Sequence, residues 1–189
     1  MKLHNTLTDL FESVRDKNRE IRFIDGENDE SIISFHDLWN KSLKLLGVLQ
    51  ARGMVPGDEL VIFSKSNENF VTAFWAAIFG GMIPVPVAVG ISDEHRFKLF
   101  RIFDQLNNAI LFTEEDLLIR LEEFINKNKF ENIGKTLRNR AILIDECSSN
   151  DLGKIHKSKK NDIGFIQYSS GSTSDPKGVV LSHQNVCTN

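Results

Sequence analysis

The sequence alternates between segments with helical periodicity and short runs of branched apolar residues. The clearest helix is predicted over residues 35–53, where leucines recur three, four and seven positions apart on one face. Ser34 and Asp37 resemble a capping box that opens this helix, and Gly53 is placed to end it. The leucines of that face are Leu38, Leu45, Leu46 and Leu49.

Helix and strand signals of this kind follow one another about four times along the chain. Such alternation is typical of an α/β fold with a mostly parallel sheet and helices on both faces, and this is the fold we predict. The polar segment 146–161 is predicted to be a long loop or a mobile linker. The further predicted strands cover 59–63, 83–89, 109–113 and 141–145, and the further helices run from Asn67 to Phe79, from Ser92 onward, and from Thr113 and Asp116 onward.

Composition and charge narrow the classes of partner. The formal net charge is −3, which gives no electrostatic surface for a polyanion, so we do not expect a nucleic acid partner. The one basic cluster, residues 154–160, is typical of a solvated loop. Cys147 and Cys187 have neither metal-ligand spacing nor a disulfide pattern, so we expect reduced thiols in a cytoplasmic protein.

Residues 71–89 carry no charge and approach the length of a membrane-spanning helix. Glycines at 80 and 81 and prolines at 84 and 86 interrupt the second half of this segment. A buried helix that leads into a buried strand is therefore the better interpretation, and we expect no membrane span. The amino terminus contains acidic residues and lacks the apolar stretch of a signal peptide.

The run from Tyr168 to His183, YSSGSTSDPKGVVLSH, contains the strongest candidate chemistry. A Walker loop is excluded because Pro176 precedes Lys177 and because β-favouring valines, not a helix start, follow. The segment therefore predicts a strand, a loop and a second strand. A plain hairpin with a Gly/Ser connection is one interpretation. The alternative is a phosphate site, built from hydroxyl groups, glycine-exposed amides and a lysine charge.

This run resembles the phosphate-loop signature of the adenylate-forming superfamily, which includes acyl-CoA synthetases, fatty acyl-AMP ligases and peptide-synthetase adenylation domains. Residues 33–63 resemble the opening helix and first core strand of that family, and residues 74–87 resemble its second signature. The resemblance covers nearly the whole chain. The positions of the run that match are Tyr168, Ser169, Ser170, Gly171, Ser172, Thr173, Pro176, Lys177, Gly178, Val179, Ser182 and His183.

The resemblance implies ATP-dependent activation of a carboxylic acid to an acyl-adenylate, with release of pyrophosphate. It implies ATP and Mg²⁺ as cofactors, Lys177 as the catalytic residue, and no metal ligand within this chain. His183 is expected to be a packed histidine after the second strand. The residues implied to contact the triphosphate are Ser169, Ser170, Gly171, Ser172, Thr173, Ser174, Lys177 and Gly178.

Two details refine the resemblance. Ser174 stands where the family usually has glycine, which leaves the geometry of the loop open. Ser172 and Gln167 look more like fatty acyl-AMP ligases and loading domains of synthetases, which use the phosphopantetheine thiol of an acyl carrier protein in lipopeptide or polyketide assembly. Transfer to free CoA is the alternative. A non-catalytic nucleotide-binding module is a third hypothesis.

The family places its acidic metal ligand, its ribose-binding aspartate and most of its acyl pocket after this loop. We therefore expect residues 1–189 to be the amino-terminal portion of a longer adenylation domain. The rest of its large domain and a small carboxyl-terminal domain would be absent. On this hypothesis residues 1–189 alone should show no turnover.

Overall fold

The computed structural model describes residues 4–24, 30–90, 92–130, 137–146, 151–169 and 175–188. The helices are α1 Leu7–Val14, α2 Phe35–Ala51, α3 Asn67–Gly80, α4 Asp93–Gln105, α5 Glu115–Asn128 and α6 His183–Cys187. The strands are β1 Glu20–Ile24, β2 Glu30–Ser34, β3 Glu59–Phe63, β4 Ile83–Pro86, β5 Ile110–Thr113, β6 Ala141–Leu143, β7 Ile163–Tyr168 and β8 Gly178–Ser182.

A parallel sheet with strand order β4-β3-β5-β6 forms the centre of the fold. All five residues of β3 are buried, as is expected for a strand covered on both faces. In the register, Val61 of β3 lies opposite Val85 of β4 and Leu111 of β5. The predicted α/β fold with a mostly parallel sheet is confirmed.

The helices cover both faces of this sheet, and the side chains of β3 alternate between the two coverings. Leu60 and Ile62 belong to a core cluster with α2 and α3, whereas Val61 and Phe63 belong to one with α4 and α5. The period-2 alternation along β3 thus separates two hydrophobic cores. Each of the two layers of helices packs against one face of the sheet through a separate hydrophobic core.

The predicted start of α2 is confirmed. Ser34 Oγ accepts a hydrogen bond from the Asp37 N–H at 3.0 Å and caps the helix. The Ser34 hydroxyl also donates to Asp37 Oδ2 at 2.6 Å, so the two side chains bond to each other. The helix ends at Ala51, and Gly53 follows with a φ of 88°, a conformation that favours glycine.

Some predicted boundaries were wrong by a few residues. Thr113 ends β5, opposite Phe63 and Leu143, as predicted for the strand, but it does not start α5, which begins after Glu114. The strand predicted over 83–89 ends at Pro86, the one predicted over 109–113 begins at Ile110, and the one predicted over 141–145 ends at Leu143, before a 3₁₀ turn. Apolar runs report burial rather than pairing, and buried residues continue past the paired ones.

The uncharged segment 71–89 forms most of α3, then β4, as predicted. Gly81 ends α3 with a φ of 68° and lets the chain turn into the sheet. No helix within the described part of the chain is both long enough and apolar enough to span a membrane.

The amino-terminal elements α1, β1 and β2 were not predicted. β1 and β2 form a separate antiparallel pair, and α1 contributes Phe11 to the core beside α2 and α3. The Phe11 ring lies 4.5 Å from the Trp75 ring in an edge-to-face arrangement. Aromatic packing therefore attaches this unit to the α2–α3 layer.

Residues 151–162, which we call the strap, lead from the end of β6 towards β7. Residues 147–150 of the predicted loop lie outside the described residues. The strap has no helix or strand, yet its backbone is bonded to two helices. Gly153 N donates to Leu43 O at 2.8 Å, and His156 N donates to Phe79 O at 2.7 Å. The Gln50 side chain bonds both the N–H and the carbonyl of Lys154, each at 2.8 Å.

The strap crosses α2 at a glycine pair, which yields a stability prediction. A Cβ at Gly47 would collide with the Asp151 carbonyl, and one at Gly153 would lie 2.6 Å from Gly47 N. Gly→Ala inside a helix ordinarily stabilises by about 1 kcal/mol. We expect Gly47→Ala instead to lower the free energy of unfolding by about 2 kcal/mol, because the strap must move.

Urea unfolding of the wild type and of Gly47→Ala would measure the change in the free energy of unfolding. Lys44→Ala, at an exposed position of the same helix, is the matched control and should change the free energy of unfolding by less than about 0.5 kcal/mol. A stabilised Gly47→Ala variant would show that the strap does not pack on α2.

Candidate functional site

The candidate loop joins the two strands of an antiparallel hairpin. β7 pairs with β8 in a register that places Tyr168 opposite Gly178 and Ile166 opposite Val180. The predicted strand on each side of the loop is therefore confirmed. Of the predicted binding residues, Ser169, Lys177 and Gly178 are described, whereas 170–174 lie outside the described residues.

The loop follows a strand that lies outside the central parallel sheet. Ligands of α/β folds usually gather at the carboxyl ends of strands in the parallel sheet. In the described residues β7 instead pairs with β8 alone, in antiparallel orientation. The physical reason is the connection, because the extended strap and not a crossover helix precedes β7. The tendency of ligands to bind at the carboxyl ends of parallel strands therefore does not support a binding site at this loop.

A backbone hydrogen bond closes the base of the loop. Ser169 N donates to Lys177 O at 3.0 Å, so the first and last predicted phosphate ligands before β8 are held side by side. Pro176 is buried, whereas the Lys177 side chain is exposed. The lysine charge is thus anchored at its backbone and accessible at its ammonium group.

Gly178 has a packing role that sequence reasoning missed. A Cβ at this position would lie 3.0 Å from Ile166 Cγ2 and 3.1 Å from Tyr168 Cζ. The Tyr168 ring therefore covers the glycine across the strand pair. Burial raises the pKa of the Tyr168 phenol, and the nearby Glu59 carboxylate raises that pKa further. Tyr168 is accordingly a neutral, packed side chain at the start of the loop.

Two side chains of α4 contact the base of the loop, and neither was predicted. Lys98 Nζ donates to Ser169 O at 3.0 Å. Gln105 Nε2 donates to Pro176 O at 3.4 Å. Both bonds join residues 71 positions apart in the sequence. Such side chain–backbone contacts have no local sequence signature, and only the fold reveals them.

Comparison with known proteins identifies the family of the chain. The family model described as AMP-binding enzyme matches residues 10–189. The chain belongs to the AMP-binding enzyme family. Its structure resembles that of McyG A-PCP complexed with phenylalanyl-adenylate, with a TM-score of 0.85 at 26% identity over 97% of this chain and 29% of that one.

Other relatives are named as fatty-acid ligases. A putative fatty-acid–CoA ligase, fadD25 of Mycobacterium tuberculosis, is 25% identical over 182 residues, covering 94% of this chain and 31% of the relative. The fatty acid AMP ligase from Legionella pneumophila has a TM-score of 0.80 at 25% identity, and the match covers 98% of this chain and 32% of that one. The chain thus spans about a third of the length of these relatives.

In this member of the AMP-binding enzyme family, His183 is a packed histidine, as the sequence indicates. It is 2% exposed, and its Nδ1 accepts a hydrogen bond from Leu7 N at 3.2 Å. Burial lowers the pKa of His183, and this effect exceeds the opposing effect of the Asp162 and Asp9 charges. The neutral imidazole therefore connects α1 to the end of the hairpin. Ser182 caps α6 in a full capping box with Asn185.

The described donors suit a triphosphate more than a bare metal ion. Lys177 offers a positive charge, and Ser169 offers a hydroxyl group beside it. Within the described ranges, no three His, Cys, Asp or Glu side chains lie close enough together to bind a metal ion. Mg²⁺ that arrives with a nucleotide keeps several waters and needs few protein ligands.

The burial of His183 predicts a pH dependence of stability. Because its folded pKa lies below the unfolded value of 6.5, its contribution is present above that value and is lost as the pH falls towards the folded pKa. The free energy of unfolding should decrease below about pH 6.5, by up to about 1.4 kcal/mol for each unit between the two pKa values. Urea midpoints measured between pH 8 and pH 5 check this.

The variant His183→Asn retains an acceptor for the Leu7 N–H without titrating, so its pH profile should be flatter. His36→Asn is the control, because His36 is exposed and bonds Asp16 at 3.2 Å. The His36→Asn variant should show the same decrease in the free energy of unfolding at low pH as the wild type. Parallel profiles for the wild type and His183→Asn would contradict this explanation.

Proposed function

We propose that this chain forms the triphosphate-handling part of an ATP-dependent ligase that activates a carboxylic acid to an acyl-adenylate. The observation that carries the proposal is the closed base of the hairpin, where Ser169 N bonds Lys177 O and the lysine side chain reaches solvent. Membership of the AMP-binding family supports it. The names of the relatives, which include fatty-acid ligases, favour an acyl substrate.

In the proposed reaction a carboxylate oxygen attacks the α-phosphorus of ATP. The bond from that phosphorus to the bridging oxygen breaks, and pyrophosphate leaves with the bonding electron pair. Negative charge accumulates on the leaving group, and a preorganised cation with hydrogen-bond donors lowers the barrier. We assign the cation to Lys177. The proposed donors are Ser169, Ser170, Gly171, Ser172, Thr173, Ser174 and Gly178.

Mg²⁺ would share the neutralisation of the phosphate oxygens when it is bound with ATP. The hairpin contributes to nucleotide binding by holding the ends of the loop in place. Its two strands hold the ends of the loop at a fixed separation, so fewer backbone angles remain to be ordered when the nucleotide binds. The burial of Pro176 and the Tyr168 ring supports the same role, because both residues adjoin the loop and are packed.

For the second half-reaction we propose transfer of the acyl group to the phosphopantetheine thiol of a carrier protein. Ser172 and Gln167, which look like fatty acyl-AMP ligases, support this acceptor. The structure of McyG A-PCP supports it by analogy. Free CoA is the alternative acceptor. Because ATP and both of these thiols are cytoplasmic, a cytoplasmic location belongs to the proposal.

We further propose that residues 1–189 belong to the large amino-terminal domain of an adenylation domain, as the shared length with longer relatives suggests. The competing hypothesis from another class is a nucleotide-binding module without catalysis. Exchange of labelled pyrophosphate into ATP by the complete protein distinguishes the two. An enzyme shows exchange that depends on a carboxylic acid, whereas a module binds the nucleotide without exchange.

The variant Lys177→Ala tests the assigned charge. In the complete protein, we expect it to lower the rate constant of pyrophosphate exchange about 100-fold, because charge on the leaving group is no longer offset. Stability should change by less than about 0.5 kcal/mol, since the side chain is exposed. Pyrophosphate-exchange assays with fatty acids of several chain lengths measure the rate constant.

Lys157→Ala is the matched control, because it removes an exposed lysine from the strap. It should leave exchange at the level of the wild type. Equal exchange rates in Lys177→Ala and in the wild type would refute the role of Lys177.

The acceptor is tested separately. We expect the complete protein to transfer the acyl group faster to a phosphopantetheinylated carrier protein than to free CoA. Mass spectrometry of the carrier and chromatography of acyl-CoA measure the two products. Faster formation of acyl-CoA would identify an acyl-CoA synthetase, and would leave the first half-reaction of the proposal unaffected.

A further inference from the structure

One side of α4 is directed at the base of the loop. Lys98 and Gln105 are seven residues apart, which is about two helical turns, so they project from the same side of the helix. Lys98 bonds the carbonyl of Ser169, which precedes residues 170–174 of the loop, and Gln105 bonds the carbonyl of Pro176, which follows them. A single helix therefore contacts both ends of the loop.

The helix that carries these two side chains is itself fixed. Its opposite side is buried in the core that α4 shares with α5 and the sheet. The Phe97 ring meets the Phe124 ring of α5 edge to face, with 5.1 Å between the centroids. Lys98 and Gln105 thus project from a rigid support. The buried residues of α4 are Leu99, Phe100, Ile102 and Phe103.

Both contacts end on backbone carbonyl groups. Together with the bond from Ser169 N to Lys177 O, they form a set of three hydrogen bonds, which we call the clamp. Because the acceptors are carbonyls, the clamp does not depend on the side chains of the loop. The Lys98 bond is charge-assisted, which makes it the strongest of the three in principle.

We propose that Lys98, assisted by Gln105, is a positioning residue that holds the two ends of the triphosphate loop in place for the nucleotide. This inference rests on the proposed function and deepens it. Lys98 acts through the carbonyl of Ser169, whose own N–H bonds the Lys177 carbonyl. A loop whose ends are held before binding loses less conformational entropy when it binds, so the clamp favours affinity for MgATP and pyrophosphate.

The variant Lys98→Met tests the clamp in the complete protein. It keeps the length of the side chain and removes the donor and the charge. We expect the KM for MgATP and for pyrophosphate to rise roughly three- to tenfold, the loss expected from one partly exposed charged hydrogen bond. The KM for the carboxylic acid should not change. Without any ligand, amides of peptides covering 163–182 should exchange with deuterium faster.

Two further variants make the result specific. Lys98→Arg retains a cationic donor and should restore the KM for MgATP to within about twofold of the wild type. Lys44→Met makes the same substitution at an exposed position of α2 and should change neither KM nor amide exchange. An effect of Lys98→Met that Lys98→Arg does not restore would show that the residue packs and does not bond.

The outcomes separate this inference from the proposed function. Absence of pyrophosphate exchange in the wild type with every acid would overturn the proposed function, while the amide exchange of ligand-free Lys98→Met would still report on the clamp. If Lys177→Ala loses exchange and Lys98→Met behaves like Lys44→Met, the function holds and the positioning role of Lys98 is refuted.

Discussion

The complete burial of β3 is the constraint on which this architecture depends. A strand with no exposed residue needs apolar cover on both faces, and two layers of helices supply it. One of these two layers contains both α4 and α5. Because α4 lies there, its polar side can reach the hairpin that carries the candidate loop. The site therefore follows from how the central strand is covered.

Most of the central fold could be predicted from the sequence. The leucines of α2 and the branched residues of β3 give strong periodic signals, and their elements lie where those signals place them. The amino-terminal elements gave no such signal, because α1 is short and β1 and β2 are half exposed. Boundaries such as Thr113 were less predictable, since a β-branched residue suits both a strand end and a helix start.

The candidate site was predictable only in its local part. The hydroxyl groups, the glycine and Lys177 occur in one short run, so their chemistry can be inferred from the sequence alone. The contributions of Lys98 and Gln105 come from a helix far away in the sequence, and no motif marks them. The contact between Gly178 and the Tyr168 ring also depends on strand register, which the sequence did not specify.

The strap has a consequence for how the molecule opens. It is bonded to α2 through Gln50 and to α3 through Phe79 O, and its Asp162 carbonyl accepts from His183 N at the end of the hairpin. Separation of the hairpin from the rest of the fold would therefore also break the hydrogen bonds between the strap and both helices. The hairpin and the α2–α3 layer should behave as one cooperative unit, resistant to local fraying and to proteases that cut transiently exposed chain. The base of the candidate loop would then keep its position for as long as the α2–α3 layer stays folded.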